Sequence, residues 1–237
     1  MSAPEPRAGR TDDSGRVTAD RADASAGPGV PEVVDVPAEW KVVSSAEHFS
    51  GRVITALTER VVMPDGSGED EVVSRDYVRH PGSVAVVALD DEDRVLMIRQ
   101  YRHPARRLLW ELPAGLRDVD GEPLHAGAAR ELAEEAGYRA RTWHTLVDAF
   151  TSPGMTDERT RIFLARDLSP IPEGELDFVR RHEEADMPVV WIPLSEAVRR
   201  ALAGMIHNSQ AVAGILAAYA ASADAFASLR PADAPEA

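Results

Sequence analysis

The chain has 237 residues, 44% hydrophobic and 28% charged, which suits one compact domain with at most an accessory subdomain. A formal net charge of -14 leaves no basic face for a nucleic-acid backbone, so no nucleic-acid partner is expected. With no cysteine, disulfides, zinc–thiolate centres and thiol catalysis are excluded; Lys41 is the only lysine, so positive charge is almost all guanidinium, suited to bidentate holding of phosphate or carboxylate.

Residues 1–36 mix Pro, Gly, Ser, Asp and Arg without periodicity and contain no apolar run, which predicts a disordered tail and no signal peptide. From 37 to 80 the pattern is strand-like: GRVITALTERVVMPDG and EVVSRDYVRH flank the turn-rich PDGSGED and predict a hairpin in an N-terminal β subdomain. GSVAVVALD and DRVLMIRQYR, joined by the acidic turn DDED, predict a second strand pair, and LLWELPAG one further short strand stopping at Pro113 and Gly115. A helix is expected over 123–136, with Pro123 in its first turn and Gly137 as its C-terminal cap. Leu124, Ala128 and Leu132 recur at spacing four, and Ala129, Ala133 and Ala136 widen that stripe with small residues.

WHTLVDAFTS, TRIFLARDL and MPVVWIPL read as three more strands. SEAVRRALAG reads as a helix with Ser195 as N-cap, and an alanine-rich helix covers about 208–226 before a flexible polar tail, 227–237. The longest apolar runs, SVAVVAL and AVAGILAAYA, fall short of the roughly 20 residues of a membrane span, so a cytoplasmic protein with no membrane partner is expected. The order of elements predicts an α/β fold, a mixed sheet sandwiched between helices, over residues 81–226.

RELAEEAG, residues 130–137, crowds Glu131, Glu134 and Glu135 beside Arg130, with Glu122 just before the first turn. Glu131 and Glu135 stand at i and i+4 on one helix face, where like charges repel. At 4 Å and an effective dielectric near 20 such a pair costs roughly 4 kcal/mol, and a divalent cation reverses that sign. Oxygen-only ligands select a hard ion such as Mg²⁺ or Mn²⁺, which takes further ligands from water and substrate phosphates. The bland alternative is a solvated helix face with an Arg130–Glu134 ion pair. The full string is far more specific, arising by chance on the order of once in ten thousand chains of this size.

GLRDVDGEPLHAGAARELAEEAGY, residues 115–138, resembles the Nudix box, with Glu122, Arg130, Glu131, Glu134, Glu135 and Gly137 in matching positions. Two departures stand out: six residues rather than five separate Gly115 from Glu122, and Tyr138 replaces the closing aliphatic residue. The resemblance implies a Nudix fold and metal-dependent hydrolysis of a nucleoside diphosphate linked to another moiety. It implies Glu131, Glu135 and the Ala114 carbonyl as metal ligands, Glu134 in support, and Arg130 orienting a carboxylate.

SRDYVRHPGSVAVV, RQYRHPARRLLWELPAG, TSPGMTDE with Pro153, and HEEADM together resemble the ADP-ribose pyrophosphatase branch, from about Trp40 to Tyr219. By that resemblance Arg102 lies near the phosphates, Arg75 and Glu111 contact nucleotide, and the N-terminal strands exchange between two subunits of a homodimer. Arg99, Arg106 and Arg107 stand with Arg102 in one basic stretch. Glu183 and Glu184, in the acidic loop RRHEEADM, are the expected general base, Glu184 the preferred one; His125, His182 and His207 are expected to be bystanders. The rival readings are another Nudix specificity, such as a sugar nucleotide or an oxidised nucleotide, and a non-catalytic nucleotide-binding regulator.

Overall fold

The computed structural model describes residues 33–172, 174–175 and 187–236. The chain divides into two units, Met1–Ser45 with Glu59–Arg75, and Ala46–Thr58 with Asp76–Ala237. Strands β1 (Val42–Ser50), β2 (Thr55–Pro64) and β3 (Asp70–Arg79) form a sheet in that order, and their residues are shared between the units. The expected β2–β3 hairpin is present. Its turn is held by the Asp65 carboxylate, which accepts from the Ser67 N–H and hydroxyl at 2.7 and 2.8 Å.

In the second unit the core is built on β4 (Ser83–Ala88), whose six residues are all buried. Alternate side chains serve opposite faces. Ala85 and Val87 join one cluster with Met97, Ile162, Leu164, Ala211 and Ile215; Val84 and Val86 join another with Leu96, Ile98, Phe163, Ala128 and Leu132. Helices thus cover both faces of the strands, as the sequence predicts. α1 (Leu124–Glu131) packs on one side and α3 (Ser209–Ala221) on the other.

Five strands run in the order β11-β8-β9-β4-β7: β7 is Ala114–Leu116, β8 Tyr138–Phe150, β9 Arg159–Pro170 and β11 Arg230–Pro231. β4 and β9 are parallel, which makes the sheet mixed. Three more strands run β10-β5-β6, with β5 Arg94–Arg102, β6 Arg107–Glu111 and β10 Val189–Pro193.

Four expectations need correction. β4 and β5 are not a strand pair: their edges are taken by β9 and β7, and by β10 and β6, and a Leu89–Val95 bridge joins the chain just after β4 to β5. LLWELPAG is two strands, β6 and β7, in different sheets, because Pro113 breaks the run. Ser195 is not a cap: α2 (Leu194–Leu202) starts after Pro193, and the Leu194 N–H is satisfied by the Asp93 carbonyl at 3.0 Å. Residues 230–236 are not a loose tail. β11 pairs with β8, and Arg161 donates to the carbonyls of Ala234 and Pro235.

Candidate active site

The carboxylates Glu131 and Glu135 stand on either side of a change of helical geometry. α1 ends at Glu131, and Leu132–Ala136 continue as one π turn closed by Gly137, whose φ of 74° suits glycine. Leu132 and Ala136 are buried against the sheet, so Glu131 and Glu135 face β7. Glu135, 4% exposed, accepts the Ala114 N–H through Oε2 at 2.8 Å. Glu131 occupies the space of a missing side chain: a Cβ on Gly115 would stand 2.1 Å from its carboxylate. The two acids therefore rest on adjacent residues of one strand.

Arg130 is the counter-charge within the chain. Its Nη1 donates to Glu131 Oε1 at 2.6 Å and to Glu134 Oε2 at 3.4 Å, while Nη2 reaches Glu122 Oε2 at 3.4 Å. Burial works against the Arg130 charge, but hydrogen bonding to Glu122 and the charge of Glu131 outweigh it, and its pKa is raised. Arg130 thus contacts Glu131 and its i,i+4 neighbour Glu134 with the same nitrogen. Glu122 folds back over Gly127, where a Cβ would stand 2.9 Å from its Oε2.

A cavity of about 580 Å³ gathers Ala114, Gly115, Arg130, Glu131, Glu135 and Arg102 on its wall. Arg102 is anchored by Glu111, which is 2% exposed: its Nε and Nη2 approach Glu111 Oε2 at 3.2 and 2.7 Å. Four further wall residues are ones that sequence reasoning did not single out: Arg52 in the β1–β2 turn, Asp118 after β7, Glu158 before β9 and Gln210 in the first turn of α3. Glu158 accepts from Ser83 Oγ at 3.0 Å and Thr151 Oγ1 at 2.7 Å, and Gln210 donates to Ser83 Oγ at 2.8 Å and Thr160 Oγ1 at 3.1 Å. Glu158 lies in the quoted TSPGMTDE stretch, which is the one signal that could have found it.

Arg99, Arg106 and Arg107 do not line the cavity. Arg75 belongs to the first unit, donating to Met63 Sδ at 3.3 Å and to the Ser74 carbonyl. Arg99 stacks over Trp110, 5.2 Å from the ring centroid, while Arg106 and Arg107 are exposed, so the four arginines are not one cluster. His125 is half-buried and His207 is exposed. Glu183, Glu184 and His182 lie outside the described residues.

Among the described residues no three His, Asp or Glu side chains gather closely enough to enclose an ion alone. Glu131, Glu135 and Ala114 nonetheless offer only oxygen donors on one cavity wall. The Gly115 cradle brings a carboxylate against that wall where any larger residue would exclude it. This donor set fits a hard divalent ion whose other positions go to water and phosphate oxygens.

A NUDIX domain family profile matches residues 79–212. An ADP-ribose pyrophosphatase of Mycobacterium tuberculosis is 46% identical over 195 residues, covering 82% of this chain and 90% of that protein. An ADP-ribose pyrophosphatase of Bacillus subtilis is 38% identical over 162 residues, covering 68% of this chain and 82% of its own length. The crystal structure of an ADP compounds hydrolase shares the fold at a TM-score of 0.62 and 21% identity, covering 81% of this chain and 99% of that one.

Proposed function

The chain belongs to the NUDIX family, and from that premise we propose that it hydrolyses the pyrophosphate of ADP-ribose, in the cytoplasm, to AMP and ribose 5-phosphate. The observation that carries this reading is the cavity itself, where two carboxylates held on β7 face arginines in an otherwise acidic protein. The names of the relatives in M. tuberculosis and B. subtilis support the choice of ADP-ribose over other nucleoside diphosphate derivatives.

Glu131, Glu135 and the Ala114 main chain would hold Mg²⁺ or Mn²⁺, which when bound supplies positive charge against the pyrophosphate oxygens. Arg102, fixed in its fork by Glu111, presents a guanidinium to the same phosphates. Arg130 keeps Glu131 oriented and, paired also with Glu134, offsets part of the negative charge of the helix. Glu184, or failing it Glu183, takes the proton from the attacking water. The protein acts as a homodimer through its N-terminal strands, with Arg75 serving the substrate of the partner subunit. Support for the dimer comes from β1, exposed along its whole length with Val42 and Val43 half uncovered.

The decisive experiment is a substrate panel with Mg²⁺ and products resolved by chromatography. AMP from ADP-ribose, with little turnover of nucleoside triphosphates or sugar nucleotides, is the expected result. Faster turnover of a sugar nucleotide would replace the substrate, and no turnover at all would leave a nucleotide-binding regulator.

A further inference from the structure

The loop between β7 and α1 leads from the seats of Glu135 and Glu131 to Glu122, and Asp118 within it lines the cavity. Its first residue, Arg117, is gripped on two sides. The Arg117 N–H donates to the Gly82 carbonyl at 3.1 Å, and its Cδ lies 3.0 Å from where a Cβ on Gly82 would be. Gly82 has a φ of 90°, so glycine there permits both the turn and the close approach. On the other side the guanidinium forms a fork with Glu236, Nη1 to Oε1 and Nη2 to Oε2, both at 2.9 Å.

An ordinary surface ion pair must freeze two long side chains, and it holds little. This one differs because Glu236 arrives on a segment that is already fixed. β11 pairs with β8, and Thr145 Oγ1 donates to the Pro231 carbonyl at 2.9 Å. Arg161, whose side chain is 2% exposed, donates to the carbonyls of Ala234 and Pro235 while its Nε and Nη2 hold the Asp148 carboxylate at 2.6 and 2.9 Å. Arg230 closes the same network on Asp148 at 2.9 Å. A buried cation thus docks the segment, and the ordering cost of the Glu236 carboxylate is met by main-chain contacts before it reaches Arg117.

We propose that Glu236 is a positioning residue for hydrolysis: through Arg117 it fixes the chain leaving β7, and with it the strand residues on which Glu131 and Glu135 rest. Ala114 and Gly115 lie only three and two residues before Arg117, so slack at the loop reaches both carboxylate seats. Displacements of about 1 Å in such a seat cost turnover far more than substrate affinity. The catalytic half of this inference rests on the hydrolysis proposed above. Its structural half, the restraint of residues 114–122, does not.

The test compares wild type with Glu236→Ala, Glu236→Asp, Arg117→Glu and the exchanged pair Arg117→Glu/Glu236→Arg in the full-length protein. Steady-state kinetics with ADP-ribose and Mg²⁺ are paired with amide hydrogen exchange. In Glu236→Ala, kcat should fall about tenfold with KM within twofold, and amides of residues 114–122 should exchange faster while those of β4 do not. The exchanged pair should recover most of the lost kcat and the protection, and Glu236→Asp should recover part. Unchanged exchange over 114–122 in Glu236→Ala overturns the latch whatever the substrate proves to be. Faster exchange with unchanged kcat overturns the positioning role, as does a loss of kcat that follows thermal stability alone and is not rescued by the exchanged pair. A wild type inert toward ADP-ribose defeats the proposed function instead, and the exchange data then still decide the restraint.

Discussion

At residue 115 it is a side chain across the way, not the backbone, that requires glycine. Gly115 does not have a left-handed φ, so alanine suits its backbone, yet a Cβ would meet the Glu131 carboxylate at 2.1 Å. Gly115→Ala should therefore leave the thermal midpoint within a few degrees and lower kcat on the order of a hundredfold, because Glu131 moves and the strand does not. Wild-type kcat in a folded variant would show that Glu131 works from another position. Glu135 calls for the complementary substitution. In Glu135→Gln the amide oxygen can still accept the Ala114 N–H, so stability should hold while kcat drops at least about a thousandfold, roughly 4 kcal/mol of transition-state stabilisation. Glu135→Ala should add about 1 kcal/mol of destabilisation, since it takes the acceptor away from that half-buried N–H. Urea unfolding beside steady-state kinetics separates the two effects. Glu131, Glu135 and Arg130 were legible in the sequence because helical spacing alone puts them together. Arg52, Glu158 and Gln210 were not, because each comes from a different segment and only the fold brings them to one cavity. Arg99 was misgrouped for a local reason: it stands three residues from Arg102 on a strand, and odd separations point to opposite faces.

Elements were legible where their own sequence decided them. α1 owes its position to the Leu124, Ala128, Leu132 stripe, and Gly137 closes the turn that follows it, all local signals, although nothing in the periodicity announced that Leu132–Ala136 form a π turn. β4 and β5 were each recognisable as strands. Their partners were not, because a strand buried on both faces carries no alternation to say which neighbour it prefers. α3 shows the same limit. Its alanine-rich sequence says helix, and Asn208 caps it by accepting the Ala211 N–H at 2.9 Å, but only packing explains Gly214. A Cβ there would lie 2.7 Å from Leu112 Cδ1 and 2.9 Å from Val87 Cγ2. Gly214→Ala gains about 0.8–1.0 kcal/mol of helix propensity, while overpacking a two-sided core costs about 1–3 kcal/mol. Val87 is β-branched and fully buried, so it yields little, and the substitution should lower stability by about 1 kcal/mol. A raised midpoint in thermal or urea unfolding would mean that α3 can lift off β4 more cheaply than its burial indicates.

Across the whole molecule, residues 227–237 read as a flexible polar tail because composition cannot reveal a long-range anchor. Arg161 sits in an apolar β9 run and Asp148 near the end of β8, and neither position hints that residues 230–236 return to them. That anchor ties three distant parts of the second unit together, and it should be visible in the response to acid. Burial pushes the Asp148 carboxyl upward, but hydrogen bonds from Arg161 and Arg230 outweigh it and hold its pKa below the ordinary 3.8. A carboxyl whose folded pKa is depressed stabilises the folded state fully above its unfolded value, and that contribution disappears as the pH falls through the folded one. Asp148→Asn removes the contribution at every pH and leaves the Arg161 guanidinium without its charged partner, a loss of about 1.5–3 kcal/mol near pH 7. Wild type should keep that advantage from neutral pH down to about 5. It should then lose it progressively below 3.8, so that the two stabilities converge in strong acid. Urea titrations of both proteins from pH 7 to pH 3 measure the gap directly. A gap that stays constant below pH 4 would mean that Asp148 is not the group being protonated.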